Sequence, residues 1–505
     1  MRSKKAFKNT IWGLIYQGVV LICGLILPRL VLTSFGSDYN GITNTITQFL
    51  SVIALFQAGI GGVTMAALYK PLAENDKNQI SVIVKTTEGY LRKVAFIFIG
   101  ISVLIACFLP FIIKEFDFLF TSSLVIIMSF STFAQYFFGQ TYQFLLAADQ
   151  RQRFMYIVNM VKVIINTVLS VVLIKAGFGI HGVKLGAAVI YIIAPIFVYF
   201  YVKKEYKLTS DVKPDNSVLS QRWDNFGMQV ADFVNMNTDL IVISIFLSMK
   251  IASVYTVYNM VVVGILNLFI PFVNGVSAAF GDMLAKNEET LIKKNLRLYE
   301  QVVFGLSAFL FGVAAAMILS FVKLYTKNIT DVNYIQPVFA YLLLTAIFFR
   351  AVRYPYVGIA NAAGHFKQNR NLSFVEAGIN VVLSVTLVTK FGIAGVAAGT
   401  LFAYTFRTVR YAMYVSANLI PRSNLIFIKR IIFSLAIIIV IAVLPHIFPI
   451  TQPNNYLQWG IYAMGISFIA IILIMAVEFV FYRKDLNELV KMFISVLKKR
   501  KLKTM

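Results

Sequence analysis

Acidic side chains are scarce in this 505-residue chain: 22 Asp and Glu stand against 46 Lys and Arg, and charged residues together make up only 13%. A soluble domain carries about a quarter, so the shortage excludes a globular protein with a water-facing surface. Cysteine is nearly missing. Cys23 and Cys107 each lie inside an apolar run, which reads as two core thiols and no disulfide. Histidine occurs three times, at His181, His365 and His446, each isolated in a loop, so no metal cluster is expected. No Gly-x-x-x-x-Gly-Lys-Ser/Thr segment occurs, and the short run Gly59-Ile60-Gly61-Gly62 falls within an apolar stretch, so no ATP site and no other cofactor is expected. Long outer loops are also lacking: those near 323–334 and 447–455 are about a dozen residues. An extracytoplasmic catalytic domain has no place to sit.

What the chain has in abundance is hydrocarbon. Hydrophobic residues reach 59% and the mean hydropathy is +0.77, the composition of an all-α polytopic membrane protein. Runs of about 20 apolar residues, the length that crosses a bilayer, fall near 11–33, 42–68, 86–112, 118–146, 154–175, 181–202, 224–247, 251–280, 299–322, 335–361, 371–389, 394–416, 425–446 and 456–482. This predicts about fourteen transmembrane helices. The net charge of +24 does not indicate nucleic acid, because Lys and Arg fall in alternate loops, among them Lys4, Lys5 and Lys8, Arg151 and Arg153, and Lys203, Lys204 and Lys207. By the positive-inside rule both termini are cytoplasmic, which requires an even number of spans. Trp12, Trp223 and Trp459 stand at predicted helix ends, where an indole prefers the headgroup level.

Two segments repeat. Asn166-Thr-Val-Leu-Ser-Val-Val-Leu and Asn380-Val-Val-Leu-Ser-Val-Thr-Leu match at an offset of 214 residues, which pairs Asn159 with Ser373, Lys162 with Glu376, and Ser170 with Ser384. These positions share one helix face. After a one-residue gap the likeness resumes, Gly179-Ile-His-Gly against Gly392-Ile-Ala-Gly. The repeat predicts two pseudo-symmetric six-helix lobes, 1–205 and 222–417, joined by a cytoplasmic linker, 206–221. Both insert the same way up, because six is even. A C-terminal helix pair, 418–482, reads either as packing bulk or as a groove for a lipid tail. The tail, 483–505, places Leu486, Leu489, Val490, Phe493 and Leu497 on one face ahead of a basic cluster, the pattern of an amphipathic helix on anionic membrane lipids.

Polar residues inside the bilayer are costly and usually face a cavity, a partner or a pathway. Arg29 follows Pro28 in the first run and either faces such a cavity or snorkels to the outer interface. Lys162 shares its stripe with Asn159, Asn166 and Ser170. Asn225, Asp232 and Asp239 recur every seven residues in the seventh run, either as a hydrogen-bond network between helices or as ion-coupling groups together with Glu376. Arg350 and Arg353, one turn apart ahead of Tyr354-Pro355, suit a diphosphate, since guanidinium meets phosphate oxygens bidentately. One of them snorkelling inward is the other reading. Asn44, Gln48, Asn166 and Asn380 offer carboxamides to sugar hydroxyls, although amides also join helices.

The segment Leu27-Pro-Arg-Leu-Val-Leu-Thr-Ser-Phe-Gly-Ser-Asp-Tyr-Asn-Gly41, leading into Gln57-Ala-Gly-Ile-Gly, resembles the Wzx-type polysaccharide flippases of the multidrug/oligosaccharidyl-lipid/polysaccharide exporter superfamily. The duplicated halves and cytoplasmic termini resemble that group as well. The resemblance implies a secondary transporter, not an enzyme, that turns undecaprenyl-diphosphate-linked oligosaccharide across the bacterial cytoplasmic membrane by alternating access. It implies a cationic cavity, to which Arg29, Lys162, Arg350 and Arg353 fit by residue type and depth, and partners such as a polysaccharide polymerase and chain-length machinery. Alternatives are a lipid II flippase, a multidrug antiporter and a membrane polysaccharide polymerase. The antiporters usually have twelve helices and carboxylates in the first half, and the polymerase would carry a long outer loop.

Overall fold

The computed structural model describes residues 2–53, 55, 60–209, 212–215, 226–269, 280, 283, 288–363, 365–447 and 453–491. Among these there is no strand. The helices are α1 (Arg2–Phe35), α2 (Ser37–Leu50), α3 (Ile60–Glu74), α4 (Lys77–Ile112), α5 (Phe118–Ala134), α6 (Gln140–Ala148), α7 (Gln152–Lys175) and α8 (Ile180–Tyr206). They continue with α9 (Phe226–Phe246), α10 (Met249–Asn267), α11 (Glu289–Tyr325), α12 (Pro337–Val352), α13 (Tyr354–Ala362), α14 (Phe366–Asn418), α15 (Leu425–Ile447) and α16 (Tyr456–Phe481). Asn225, Trp223, Gln57 and residues 492–505 of the tail lie outside the described residues.

Eleven described helical segments are long and apolar enough to span a bilayer, and the difference from fourteen has three local causes. The second run is broken between α2 and α3, each too short to be counted. The seventh, α9, carries Asp232, Asn235, Asn237 and Asp239 and is too polar. The eleventh and twelfth are merged in α14, which Gly392 breaks with φ 57° and ψ −139°, a conformation that favours glycine. Long aliphatic and aromatic side chains such as Phe108, Phe111, Leu457 and Phe468 point outward. In hydrocarbon these are solvated residues, as a multi-pass membrane protein requires.

By internal packing the chain forms two units, residues 1–254 with 328–332, and 255–327 with 333–505. In the first, Ile42, Ile46, Leu91, Val94, Phe98 and Leu124 make one apolar cluster, and Leu68, Ile83, Leu145, Met155 and Val202 another. Lipid tails are as apolar as leucine, so close packing and hydrogen bonds, not water exclusion, hold such helices together. α2 illustrates both. Asn40 Nδ2 donates to Ser253 Oγ at 2.7 Å, the Thr45 and Ser244 hydroxyls are 2.7 Å apart, and Ser51 Oγ donates to Asn237 Oδ1 at 3.1 Å. These bonds carry the first unit past the repeat boundary to take in α9 and the start of α10. The N-terminus of α2 is finished by a distant residue: Asp331 accepts from Ser37 N and Ser37 Oγ, both at 2.7 Å. A carboxylate there satisfies exposed N–H groups and meets the positive helix end.

In the second unit, Met317, Ile441, Ile466 and Ala470 join α11, α15 and α16. Asp485, just past α16, is buried and paired with Arg297 at 2.8 Å and Arg430 at 3.3 Å. The tail therefore begins docked on α11 through its acids. Cys107 differs from expectation: it is exposed on the surface of α4, and Cys23 is half-buried. Both are free.

A Cβ on Gly41 would stand 1.9 Å from the Met249 carbonyl oxygen, so only a shift of two backbones admits one. Gly41→Leu is expected to cost at least the roughly 1–3 kcal/mol typical of overpacking, read as a lowered thermal transition in detergent. Gly100→Leu, with nothing within 4 Å of its Cβ position, should leave that transition in place.

Candidate functional site

The break at Gly392 turns α14 back on itself, and the turn sets a register. Cβ atoms on Gly395 and Gly399 would lie 2.3 Å from the Leu387 carbonyl oxygen and 2.7 Å from Ser384 N, so the two arms touch through backbone. Glu376 precedes Gly392 by nearly the interval at which Arg407 follows it, which brings the two side chains opposite each other. A second break supplies the third member. Pro355 has no N–H to continue a helix, so α12 ends at Val352 and α13 restarts at Tyr354 with Arg353 at the joint. The Phe349 carbonyl near this joint accepts instead from Thr408 Oγ1 at 2.9 Å.

The result is a buried ionic triad. Glu376 Oε1 accepts from Arg353 Nη1, and Glu376 Oε2 accepts from Arg407 Nη1. Glu376 is 0% exposed, Arg407 5% and Arg353 7%. Two guanidiniums on one carboxylate leave one net positive charge. Tyr404 extends the group: its ring centroid lies 5.7 Å from the guanidinium carbons of both Arg353 and Arg350, and its hydroxyl accepts from Arg350 Nη1 at 3.4 Å. Arg407 also lies 5.4 Å from the Tyr411 ring centroid. Aromatic faces attract cations electrostatically, so the tyrosines spread the surplus charge without cancelling it. Arg350 itself is only half-buried.

A second cluster fixes the helices around this triad. Glu300 on α11, 0% exposed, is held bidentately by Arg422, with Arg422 Nη1 to Oε2 at 2.8 Å and Nη2 on Oε1. Tyr356 Oη donates to Oε1 at 2.5 Å. Arg430 reaches Gln301 at 2.8 Å. Burial is the largest influence on Arg422 and opposes its charge, yet its hydrogen bond to Glu300 and the charge there hold it above the ordinary arginine range.

Asn380 is buried on the stripe of Glu376 and donates to Thr400 Oγ1 at 3.0 Å. In the first unit, Asn44 is half-buried and donates to the Asn40 carbonyl at 2.8 Å, while Gln48 is half-buried with its carbonyl accepting from Ser51. Arg29 is half-buried and its carbonyl accepts from Thr33 Oγ1 at 3.0 Å. Asp239 is buried and Asp232 half-buried. Lys162 is half-buried with Nζ 4.7 Å from the Tyr191 ring centroid, and Asn166 and Ser170 are buried on its stripe. The structure thus joins Arg350, Arg353 and Glu376. Arg407, Glu300 and Arg430 were not singled out from the sequence. The signal for Arg407 is its distance from Gly392, nearly that of Glu376 on the other side, which becomes a pairing only with the backbone turn at Gly392.

The repeat extends into this geometry. The π-helical turn Gln135–Gly139 between α5 and α6 stands at the same offset as the break at Arg353. Gly139, Lys162, Tyr191 and Ala194 thereby correspond to Arg353, Glu376, Tyr404 and Arg407. The tyrosine is kept and every charged partner is exchanged. Gly139 has no room for a substitute, as a Cβ would lie 2.7 Å from Pro195 Cβ.

No family model matches the chain, and no curated protein is found similar to it. Solved structures are. The lipid II flippase MurJ in an inward closed conformation aligns with TM-score 0.68 at 14% identity, over 94% of this chain and 99% of that one. The chain has the fold of that structure. An inward-facing multidrug resistance MATE family transporter of the MOP superfamily aligns with TM-score 0.61 at 14% identity, over 83% and 95% of the two chains. A variant of the Vibrio cholerae MATE transporter VcmN gives 0.59 at 14% identity, over 83% and 98%. The fold is therefore shared with a flippase and with multidrug resistance transporters.

Removing the acid of the triad strands two buried guanidiniums. Glu376→Gln is expected to destabilise by about 3–5 kcal/mol, measured as a fall of the thermal transition in detergent, whereas Arg407→Met, which leaves the Arg353 pair, should fall less. Equal transitions for wild type and Glu376→Gln would show that the triad contributes nothing to stability.

Proposed function

We propose that this protein is a flippase for undecaprenyl-diphosphate-linked oligosaccharide, working by alternating access in the bacterial cytoplasmic membrane with both termini cytoplasmic. The observation that carries the reading is the pair of buried guanidiniums that share Glu376, in a fold shared with a lipid II flippase. An anion is what clustered guanidiniums select. A diphosphate meets Arg350 and Arg353 side by side, and its second phosphate competes with Glu376 for Arg353 and Arg407.

That competition supplies a coupling step. A carboxylate displaced from two guanidiniums at membrane depth loses its counter-charge and takes up a proton, and when the diphosphate leaves, the proton is released and the triad closes again. Asp232 and Asp239 are the further ion-coupling candidates, and Asn44, Gln48, Asn166 and Asn380 offer amides to the sugar. Arg29 and Lys162 add positive charge in the first unit. Access alternates between the two sides of the membrane, and the polymerase and chain-length machinery of the polymer take the product.

A second reading, flipping of the lipid-linked peptidoglycan precursor, is favoured by the likeness to MurJ. The two share the diphosphate and differ in the sugar, so the amides and not the arginines decide between them.

Arg350→Ala and Arg353→Ala are each expected to lower translocation of lipid-linked oligosaccharide into everted vesicles at least tenfold while the protein still reaches the membrane. Normal translocation by both would remove the diphosphate site. In the same vesicles Asp239→Asn should change the dependence on pH or sodium, and an unchanged dependence would leave Asp239 a structural residue.

A further inference from the structure

Lys162 is a cation whose compensation the triad does not explain. It lies near the middle of α7, about 15 Å along the axis from the first residue of that helix at 1.5 Å per residue. A charge at such depth costs roughly 2.5–3.5 kcal/mol on insertion scales. At the corresponding place in the second unit the charges are met by one another. Here the counterparts of Arg353 and Arg407 are Gly139 and Ala194, and among the described residues Lys162 has no carboxylate partner; its Nζ lies 4.7 Å from the Tyr191 ring centroid.

Lys162 also lines a groove between α7 and α8. Phe154, Val158, Val161, Ile165, Ile193 and Phe197 line it together with Lys162, around about 490 Å³ of space. That volume is in the range of sites for organic ligands and far above what a bare ion needs. Val161, Ile165, Ile193 and Phe197 are exposed, so the walls wait for hydrocarbon. A second apolar groove, of about 390 Å³ between α11, α12 and α15, is lined by Phe311, Leu344, Phe348 and Ile439 among others but by no charged residue, and nothing in it would orient a headgroup.

We infer that the groove between α7 and α8 binds a polyprenyl phosphate, with its hydrocarbon chain along Phe154, Val161, Ile193 and Phe197 and its phosphate on Lys162. The apolar walls and the single cation match the two parts of that molecule. A resident phospholipid fits less well, because its phosphate stays at the bilayer surface while Lys162 is placed halfway through α7. A phosphate that reaches such a depth belongs to a lipid in passage. The assignment of a polyprenyl chain rests on the proposed flippase reading, and it gives Lys162 the task of receiving the lipid end of the substrate rather than its sugar.

The test is binding of undecaprenyl phosphate, which carries no sugar, to the purified full-length protein in nanodiscs of a zwitterionic lipid, followed by native mass spectrometry. Lys162→Gln should weaken binding about tenfold and Lys162→Arg should retain it. Neutral undecaprenol should bind weakly and alike to wild type and Lys162→Gln. Ile193→Trp, which fills the groove from an exposed position, should lower binding of both lipids with the thermal transition unchanged. Wild-type affinity in Lys162→Gln would overturn the inference, as would displacement of undecaprenyl phosphate by an equal concentration of phosphatidylglycerol. Translocation of the oligosaccharide is not read here, so failure of the flippase reading and failure of the groove are separate results.

Discussion

A charge in hydrocarbon must be met, and most of this structure follows from how each one is met. Water lowers the energy of an ion by tens of kcal/mol relative to a dry apolar medium, and inside a bilayer other residues have to replace it. Glu376 and Glu300, both fully buried, are each surrounded by arginine and tyrosine. Guanidinium suits this work because it is planar, permanently charged and weakly hydrated. The groups that satisfy the acids also fix the helices: Glu300 ties α11 to the start of α13 and to the segment before α15, and Glu376 ties the joint at Arg353 to both arms of α14. Packing alone would leave these helices free to slide, since lipid competes with leucine for leucine.

Membrane class and helical architecture were legible in the sequence, because the solvent imposes length and apolarity on each span. The triad was only half legible. The stripe through Lys162 and Glu376 shows which face of a helix is polar, and Arg350 and Arg353 show a cationic turn, but periodicity does not say which faces meet. Arg407 became a partner of Glu376 through a backbone turn at Gly392, whose angles no hydropathy window reports. Glu300 was hidden for another reason: it stands at the edge of a long apolar run, where a charge reads as an ordinary helix end.

The two halves solve one problem differently. Where the second carries Arg353, Glu376 and Arg407, the first carries Gly139, Lys162 and Ala194, and both sums leave one positive charge beside a retained tyrosine. In the second unit the charge is enclosed and shared among three side chains. In the first it stands at the edge of an apolar groove on a flexible stem. A duplicated fold thus encloses charge among several side chains in one copy and leaves a single lysine in the other.

The cap on α2 has a consequence in time. Ser37 is finished by Asp331, a residue made 294 positions later. At about 5–20 residues per second of synthesis, the wait is roughly 15–60 s, during which α2 is already in the membrane with its first N–H groups unmet. The first unit is therefore not complete when its own residues have been made. Its order of assembly is set by the arrival of a short segment made with the other half of the chain, so the halves that share a fold do not fold as independent copies.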